Sequence, residues 1–567
     1  MKPWFLGSHP KRLDDELQAL ERAGYKYELD LAHKASGRIV LIVEYPLDDV
    51  IHELLVVYPD NYPYFPFDIS SKSFPDGKHK DPFSGALCIL QNPHTNWRVD
   101  DTLAAFLNTQ IPKISVAHQA PQDAALVEAH EAAQITGYFQ YEPGSAVFTG
   151  DWHIPENVDR GTILIGIDRY SDPNTVMRGA VLEVQGSDQS ALATIDDRLR
   201  NHYGKPIKGR WLRLPHPPKS SRPDQILSEV IKVWPNLKSE YFNHGPDVIG
   251  ILMPEEVQYK QHHENWIFLV RRKRKSPKGI PEIHASLARS DQASTQSVQA
   301  RAPRTAPLID KKVFIVGLGS IGSIIAWQLA RAGIKTMRLV DFDFVQIGNT
   351  PRWLLGWPAA GHSKAQAITQ YLHYHYPLTD VQSIDHRIGS NKQISSNFSD
   401  LEALPEGLAG ADLIIDATAE WCVSHFLSDL SKEKGIPYLW ATGTPGSWGG
   451  TVGRVIPGKT QGCWKCYQRK LTDQSIKTPN QEISPSIQPV GCFHPTFTGT
   501  GFDMDQVSLS AVRLAVSTLC VDKEGGYPDF NWDVGIVDLW NEQGMPIAPE
   551  WHTYKLTKHP ECDCNGN

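Results

Sequence analysis

The sequence has few cysteines and no strong excess of charge of either sign. Its 567 residues contain 56 lysines and arginines against 64 aspartates and glutamates, which gives a formal net charge of -8. This charge provides no overall attraction to nucleic acid or to an anionic membrane surface, so we expect neither as a partner. Cysteines number eight in all, and each one is therefore interpreted from its own surroundings.

Long apolar runs are also lacking. One uncharged run long enough to suggest a membrane span, Val313 to Ala330, contains three glycines, two serines and a glutamine, which is typical of a strand, a turn and a helix instead. The first 24 residues have no long apolar stretch behind their basic residues and soon become a charged helical pattern. They do not resemble a secretory signal, and we expect a cytoplasmic protein.

The chain is too long for one hydrophobic core and divides into three predicted domains. Residues 1–145 begin with helix-spaced apolar residues and continue with "YKYELDL", "GRIVLIVEY" and "HELLVVYP", which predict an antiparallel meander in an α+β domain. Residues 146–275 predict an α/β linker domain that ends in the basic run "RRKRKSPKG". Residues 276–567 predict a Rossmann-like α/β domain.

The third domain carries a glycine-rich turn between a strand and a helix. Gly317, Gly319 and Gly322 form G-x-G-x-x-G in "KKVFIVGLGSIGSIIAWQLARAGIKTMRLVDFDFV". Glycines allow the tight turn and let phosphates approach the helix N-terminus, where backbone N–H groups favour anions. Asp341 ends the next strand, about 20 residues further on, where an acidic residue suits a ribose hydroxyl. A nicotinamide or flavin enzyme would show the same motif, so the motif alone leaves these classes open.

Three polar residues follow the acidic strand end. Asn349 and Arg352 lie in "DFDFVQIGNTPRWLLG", and Lys364 follows in "GHSK". Two cations at this place suit the neutralisation of a triphosphate better than the binding of a nicotinamide ring. Any one of these residues alone would be an ordinary surface group, but together they favour nucleotidyl transfer.

These residues resemble the ThiF/MoeB-type adenylating fold that ubiquitin-activating enzymes share. The resemblance implies a homodimer that uses ATP and Mg²⁺ to adenylate the C-terminal carboxylate of a protein. It implies that Asp341 binds the ribose, that Asn349 and Arg352 bind the phosphates, and that Lys364 binds the triphosphate and the transition state.

Two features of the family's site are less directly matched. An arginine of the other protomer usually completes the site, and Arg289 and Arg301 are the candidates here. The family's metal-binding aspartate falls at Ala419, in "IIDATAEW". We expect Asp416 to take the metal-linked role, because ligands bind at the carboxyl ends of such strands, with Glu420 as the alternative.

Four of the cysteines form two close pairs. Cys463 and Cys466 make C-x-x-C in "GCWKCY", and Cys562 and Cys564 make C-x-C in "ECDCNGN". Thiolates at such spacing chelate one zinc ion tetrahedrally, so we predict a zinc site that ties down the C-terminal segment. A disulfide or a redox-active pair is the main alternative.

Three further cysteines lie in the third domain. Cys520 lies in an apolar helix, and it and Cys422 are predicted to be packing residues. Cys492 ends a polar, proline-containing stretch and precedes a glycine- and threonine-rich approach to a helix. In compact activating enzymes the thiol that takes the acyl group from AMP lies at this location. The resemblance therefore implies that Cys492 is the acyl-accepting nucleophile.

Cys88 lies in a second characteristic setting. A helix, a meander, the segment "YPDNYPYFPFDI", a cysteine and another helix together resemble ubiquitin-conjugating enzymes, over residues 10 to 140. The resemblance implies that Cys88 accepts the acyl group by thiol exchange. The family's His-Pro-Asn is replaced by His79, Lys80 and Asp81. This leaves the oxyanion donor unassigned and gives Asp81 as a candidate for polarising the incoming amine.

A conjugating domain, a linker domain and an activating domain in one chain resemble the fused enzyme of bacterial CBASS antiphage operons. That resemblance implies that the partner is the C-terminus of a cGAS/DncV-like nucleotidyltransferase, which would be joined to lysine amines of target proteins. Two alternatives stay open. One is the activation of a bacterial ubiquitin-like or sulfur-carrier protein, and the other is a non-catalytic scaffold.

Overall fold

Two compact units make up the chain. The computed structural model describes residues 2–47, 49–75, 77, 79–88, 97–113, 134–238, 245–258, 261–275, 281–391, 398–483 and 498–564. The first unit comprises residues 1–195 and 203–292, and the second comprises residues 196–202 and 293–567. Within the described ranges, no helix combines the length and the apolar character that crossing a membrane would require.

The N-terminal part of the first unit is an antiparallel meander with helices beside it. The strands pair in sequence order and are β1 (Lys26–Leu29), β2 (Val40–Leu47), β3 (Val50–Val57) and β4 (Asp68–Ser70). The helices are α1 (Arg12–Arg22), α2 (Leu31–Ala35) and α3 (Leu103–Thr109). His52, Leu54 and Val56 of β3 are buried and alternate with exposed residues, so one face of the sheet covers the core. The predicted meander and first helix are confirmed.

Strands dominate the rest of the first unit. They are β5 (Tyr141–Thr149), β6 (Arg160–Ile167), β7 (Arg178–Gly186), β8 (Ala191–Thr194), β9 (Pro206–Arg213), β10 (Asp247–Gln258), β11 (Gln261–Lys275) and β12 (Pro281–Gln292). The sheet order is β5-β12-β11-β10-β9-β6-β7-β8, and β5 also pairs with β7, which closes a ring. The described residues of this stretch include two α-helices: α4 (Asp197–His202), which belongs to the second unit, and α5 (Pro223–Val233).

This ring differs from the α/β linker domain predicted for residues 146–275. On β11, Trp266 and Phe268 enter one apolar cluster, whereas Ile267 and Leu269 enter another on the opposite face. The ring is complete only with β5, which begins before residue 146, and β12, which lies beyond residue 275. Strands that are far apart in the sequence pair to close this ring, and such pairing cannot be read from neighbouring residues. This is why the sequence pattern predicted an α/β domain instead of a ring of strands.

The second unit is built on an eight-stranded sheet. Its strands are β13 (Lys312–Val316), β14 (Thr336–Asp341), β15 (Asp380–Asp385), β16 (Leu413–Asp416), β17 (Tyr438–Gly443), β18 (Gly449–Val455), β19 (Val534–Trp540) and β20 (Pro546–Tyr554). The order is β15-β14-β13-β16-β17-β18-β19-β20. Pairings are parallel from β15 to β17 and antiparallel from β17 to β20. The Rossmann-like α/β arrangement predicted for this region is confirmed.

Helices cover both faces of this sheet. They are α6 (Thr295–Gln299), α7 (Ser320–Arg331), α8 (Lys364–His375), α9 (Asp400–Ala403), α10 (Pro405–Leu408), α11 (Trp421–Lys434), α12 (Trp464–Thr472) and α13 (Gly501–Cys520). Val313 and Ile315 of β13 enter one core cluster, and Phe314 and Val316 enter a second. Both faces of the parallel strands are buried, so polar side chains are found where the strands end. The carboxyl ends of these strands meet at one edge of the sheet, and the polar groups come together there.

Candidate active site

The glycine-rich turn joins β13 to α7 at this edge. A Cβ atom added at Gly322 would lie 1.9 Å from the carbonyl oxygen of Gly317. One added at Gly317, where φ is +85°, would lie 2.8 Å from backbone atoms of Ala417. At Gly319 an added Cβ would meet no heavy atom of the described residues within 4 Å. The fold itself thus requires Gly317 and Gly322, whereas Gly319 leaves the start of α7 accessible to a ligand.

Asp341 ends β14 and holds the backbone of the glycine turn. Its Oδ2 accepts the N–H of Leu318 at 2.6 Å, and its Oδ1 accepts the N–H of Asp343 at 2.8 Å. The residue is 9% exposed. Burial raises the pKa of Asp341, and the charge of Lys364 acts in the opposite direction. Both carboxylate oxygens of Asp341 therefore already accept backbone N–H groups. The predicted contact between Asp341 and a ribose stays a prediction.

Asp343, which the sequence prediction does not include, is the more accessible carboxylate. Its Oδ2 lies 2.5 Å from Nζ of Lys364, and its side chain is 45% exposed. The repeated aspartate in "DFDF" places Asp341 and Asp343 two residues apart at a strand end, and this spacing is the pattern that would have identified it. The structure thus adds a carboxylate beside the predicted lysine.

Asn349 and Arg352 lie on the segment that follows β14. Oδ1 of Asn349 accepts the N–H of Gln346 at 2.9 Å and so closes the short helical turn Ile347–Asn349. Arg352 is half-buried, and burial lowers the pKa of its guanidinium. A Cβ atom added at Gly501, the first residue of α13, would lie 3.1 Å from Cα of Arg352. The start of α13 therefore packs directly against the predicted phosphate-binding arginine.

Asp416 lies at the end of β16, on the other side of β13 from Asp341. It is 2% exposed, and its Oδ1 accepts bonds from the backbone N–H and hydroxyl of Thr418 at 3.0 and 2.7 Å. Its Oδ2 accepts the hydroxyls of Ser424 and Tyr438 at 2.6 and 2.8 Å. Four donors thus occupy the carboxylate, and this geometry does not support the metal-linked role expected for Asp416. Its contacts instead fix the chain after β16.

Ala419 occupies the place of the family's metal-binding aspartate. Its φ is +57°, a left-handed conformation that an alanine adopts at a steric cost. Glu420 follows as the residue before helix α11 and is half-buried. Because the carboxylate of Asp416 is already hydrogen-bonded and Ala419 has none, Glu420 is the remaining candidate for a metal ligand at this position.

Replacing Tyr438 by phenylalanine tests the structural role of Asp416. The Tyr438 side chain is fully buried, and burial together with the nearby Asp416 raises its pKa well above the usual value. Because a hydrogen bond to a charged group is worth about 1.5–3 kcal/mol, we expect Tyr438→Phe to lower the free energy of unfolding by that amount. Urea denaturation followed by circular dichroism measures the change.

Tyr467→Phe is the matched control for this substitution. Tyr467 is also buried, but its hydroxyl donates to a neutral partner, Thr451 Oγ1, at 3.3 Å. We expect a smaller loss of about 0.5–1.5 kcal/mol. Equal losses of unfolding free energy for the two variants would contradict the structural role of Asp416 as the hydrogen-bond acceptor that fixes the chain after β16.

The two cysteine pairs come together in the second unit. The Sγ atoms of Cys463 and Cys562 lie 3.7 Å apart, those of Cys466 and Cys564 lie 3.5 Å apart, and those of Cys463 and Cys466 lie 3.8 Å apart. All four sulfurs lie within 4.8 Å of one another. Burial raises the pKa of the Cys463 thiol to about 11. The cluster is a possible four-cysteine metal site of the kind predicted.

Other contacts hold the C-terminal segment beside α12. The N–H of His559 donates to Sγ of Cys466 at 3.3 Å, as expected for a sulfur that carries negative charge. Nε2 of the same histidine lies 3.0 Å from Asp473 Oδ2, and Arg469 forms an ion pair with Glu561 at 2.7 Å. The sulfurs are thus placed by a network of neighbouring bonds.

Cys88 is exposed and lies beside a paired backbone segment. Its N–H donates to the carbonyl of His79 at 2.7 Å, and His79 has a left-handed φ of +65°. Asp81 accepts the N–H of Phe83 at 2.8 Å and also bonds the hydroxyl of Ser84. The Asp81 carboxylate therefore closes a local turn, a role different from the amine-polarising one considered above. The acyl-accepting role of Cys88 stays a prediction.

The remaining predicted cysteines have different outcomes. Cys520 is 2% exposed within a core cluster, which confirms it as a packing residue. Cys422 is exposed in the first turn of α11, so the prediction that it packs in the core is wrong. A sequence alone does not reveal which way the first turn of a helix faces. Cys492 lies outside the described residues.

The chain on either side of Cys492 is fixed to one turn. The N–H of Glu482 donates to the carbonyl of Pro445, and the N–H of Gly446 donates to the carbonyl of Thr498, each at 2.9 Å. This turn directly follows β17, at the edge of the sheet where β16 also ends. Glu482 and Thr498 thus both lie at the edge of the sheet that holds the glycine turn.

The two arginines proposed to complete a neighbouring site differ in their surroundings. Arg289 lies on β12 in the first unit, with its guanidinium 5.8 Å from the ring centre of Tyr141. Arg301 is exposed and follows α6 in the second unit. Both arginines are exposed, and the completion of a partner's site by either of them stays a prediction.

Comparison with known proteins identifies the fold of the second unit. Residues 294–520 match the ThiF family. The C-terminal part of the chain therefore contains a ThiF/MoeB-type adenylation domain, as predicted, and the match spans the glycine turn, Asp341, Arg352 and Lys364.

Individual relatives match the chain to different extents. The uncharacterized protein y4oA of Sinorhizobium fredii is 28% identical over 588 residues, which cover 99% of this chain and 97% of that protein. The ATP-dependent ubiquitin transferase-like protein Cap2 of Enterobacter hormaechei is 26% identical over 229 residues, which cover 38% of this chain and 34% of Cap2. The sulfur carrier protein ThiS adenylyltransferase of Escherichia coli is 28% identical over 160 residues, which cover 28% of this chain and 59% of that enzyme.

Proposed function

We propose that the ThiF-type domain uses ATP to adenylate the C-terminal carboxylate of a partner protein. The observation that carries the proposal is the placing of Lys364, Asp343 and the open turn at Gly319 on one edge of the sheet, within the region that matches the ThiF family. N–H groups at the start of α7 bind the phosphates, and Lys364 and Arg352 neutralise their charge. A carboxylate oxygen of the partner then attacks the α-phosphorus, and pyrophosphate leaves.

Asp343 is proposed as the carboxylate that contacts the ribose, since its side chain is 45% exposed whereas Asp341 is 9% exposed. Glu420 would be the protein carboxylate that holds Mg²⁺, because Ala419 has no carboxylate and that of Asp416 already accepts bonds from four donors. When bound, the ion offsets negative charge on the phosphates.

The acyl group is then passed through sulfur. In this proposal the thiolate of Cys492 attacks the acyl adenylate and AMP leaves. The thiolate of Cys88 next attacks the thioester carbonyl and frees Cys492. A lysine amine of a target then attacks the Cys88 thioester, which forms the isopeptide and frees the Cys88 thiol. The anchoring of Glu482 and Thr498 at the sheet edge supports Cys492 as the first carrier, and the exposure of Cys88 supports it as the second.

The partner is proposed to be the C-terminus of a cGAS/DncV-like nucleotidyltransferase. The similarity to Cap2, a protein described as ubiquitin transferase-like, supports the transfer of an activated protein carboxylate, and the choice of partner rests on the resemblance to the fused CBASS enzymes. The similarity to an enzyme that adenylates the sulfur carrier ThiS favours a second candidate, the activation of a ubiquitin-like or sulfur-carrier protein. In both cases the substrate is a protein carboxylate.

ATP–pyrophosphate exchange tests the proposal. We expect exchange only when the partner's C-terminal peptide is added, and none when its terminal carboxylate is amidated. Exchange with a ubiquitin-like protein and not with the nucleotidyltransferase would establish the second candidate. Absence of exchange with both partners would refute an enzymatic role and favour a scaffold.

The four-cysteine cluster is proposed to bind zinc. Sulfurs around a tetrahedral zinc with Zn–S bonds of about 2.3 Å are about 3.8 Å apart, close to the distances of 3.5 to 3.8 Å given above. The bound ion would act structurally, because four protein ligands leave no position for a substrate.

Lys364→Ala is expected to lower the rate of ATP–pyrophosphate exchange about 100-fold or more, because removing a charge that stabilises a developing phosphate charge costs about 2.7–4 kcal/mol. The matched control is Lys459→Ala, which removes a lysine paired with Asp522 on the surface. Lys459→Ala should leave exchange unchanged. A rate for Lys364→Ala within twofold of the wild type would contradict the role of Lys364.

A further inference from the structure

Two consecutive peptide groups of the glycine turn are held by buried side chains. The N–H of Leu318 donates to Asp341 Oδ2 at 2.6 Å, and the carbonyl of Leu318 accepts the indole N–H of Trp353 at 2.7 Å. Asp341 is 9% exposed and Trp353 is 6% exposed. Leu318 is fully buried and lies with Trp353 in the same core cluster. Water therefore competes little for either bond.

The bond from Trp353 sets the direction of the next donor. The carbonyl of Leu318 and the N–H of Gly319 belong to one planar trans peptide group, in which they point in opposite directions. Turning the Leu318 carbonyl toward the buried indole therefore turns the Gly319 N–H away from the core. An added Cβ at Gly319 would meet no heavy atom of the described residues within 4 Å, so there is room for a ligand beside this peptide group.

Trp353 also links the turn to the phosphate-binding arginine. It directly follows Arg352 in sequence, so its indole bond fixes the backbone of Arg352 relative to the glycine turn. We propose that Trp353 is a positioning residue, whose N–H keeps the Gly319 N–H and Arg352 in the arrangement that a triphosphate requires. The proposal rests on the proposed nucleotide-binding function and deepens it, since Trp353 itself is too buried to serve as a ligand.

Trp353→Phe tests this role, with Trp327→Phe as the matched control. Trp327 lies on α7, the helix that the turn precedes, and its indole N–H donates to the hydroxyl of Tyr376 at 2.8 Å. Both substitutions thus remove one indole hydrogen bond beside α7. We expect Trp353→Phe to raise the Kd of Mg·ATP about tenfold in calorimetric titration, which is the upper end of the effect of one hydrogen bond. Trp327→Phe should change the Kd less than twofold.

A second measurement needs no nucleotide. Amide hydrogen exchange of peptides covering residues 317–322 in the free protein should be faster in Trp353→Phe than in the wild type, and unchanged in Trp327→Phe. Trp353→His keeps a ring N–H in a smaller side chain, so its Kd should fall between those of the wild type and Trp353→Phe. This variant replaces Trp353→Phe in the comparison if the latter does not fold.

The outcomes separate this inference from the proposed function. If the wild type binds no Mg·ATP, the proposed function fails, while faster exchange in the Trp353 variants would still show the fixed turn. If the wild type binds and the variants at positions 353 and 327 have equal Kd values, the positioning role is refuted and nucleotide binding stands. Equal exchange in all proteins would also refute the positioning role.

Discussion

Cys492→Ala is expected to abolish thioester formation on both carriers, whereas Cys88→Ala should retain a thioester on Cys492. The expectation follows from the order of transfer, because Cys88 receives its acyl group only from an existing thioester. Incubation with ATP and the partner, followed by nonreducing electrophoresis and mass spectrometry, measures the adduct on each cysteine. Adducts should fall to background in Cys492→Ala. In the wild type and in Cys88→Ala, the adducts should disappear on treatment with a thiol.

Cys422→Ala provides the control for the loss of a thiol near the site. Cys422 is exposed and lies in the first turn of α11, so it is available to reagents, but the proposed pathway does not use it. Both adducts should persist in this variant. Loading of Cys88 in the Cys492→Ala protein would disprove the assignment of the first carrier, and loss of adducts in Cys422→Ala would transfer that role to Cys422.

Cys466→Ser is expected to remove the bound metal and to lower the thermal stability of the second unit. The Cys466 sulfur is buried and accepts a backbone N–H in addition to its place among the four thiols. A loss of about 4 kcal/mol shifts the unfolding midpoint by about 10 °C in a domain of this size, and the binding energy of a structural zinc exceeds that amount. Calorimetry and elemental analysis measure the midpoint and the metal content per chain.

Cys520→Ala distinguishes the metal from simple packing. Cys520 is buried like Cys466 but lies outside the four-cysteine cluster, and its sulfur lies 3.9 Å from the carbonyl oxygen of Arg304. We expect it to keep one metal per chain and to lose about 1–2 kcal/mol of packing energy. A wild-type protein without bound metal, or a Cys466→Ser protein that retains it, would refute the zinc assignment.

The sequence predicted those parts of the site that depend on local backbone requirements. Gly317 and Gly322 occupy places where a side chain would collide with the backbone, and such positions leave a recognisable glycine pattern. The two cysteine pairs were likewise evident, because chelation requires close spacing within each pair. The strand alternation of the N-terminal meander follows from one buried face.

The parts that were missed depend on contacts between distant residues. The metal-linked role of Asp416 stays a prediction, but its partners Ser424 and Tyr438 lie 8 and 22 residues away, and nothing near Asp416 in the sequence shows that they meet. The closing of the middle sheet depends on the pairing of β5 with β7 and with β12, which is more distant still. Long-range pairing of this kind is a property of the folded chain.

The four-cysteine cluster also constrains how the protein is made. Cys463 and Cys562 are 99 residues apart, and Cys466 and Cys564 are 98 apart. A ribosome therefore releases the first pair long before it synthesises the second. During that interval the first two thiols lack their partners, so the zinc ion proposed above can gain all four sulfur ligands only after residue 564 has emerged from the ribosome.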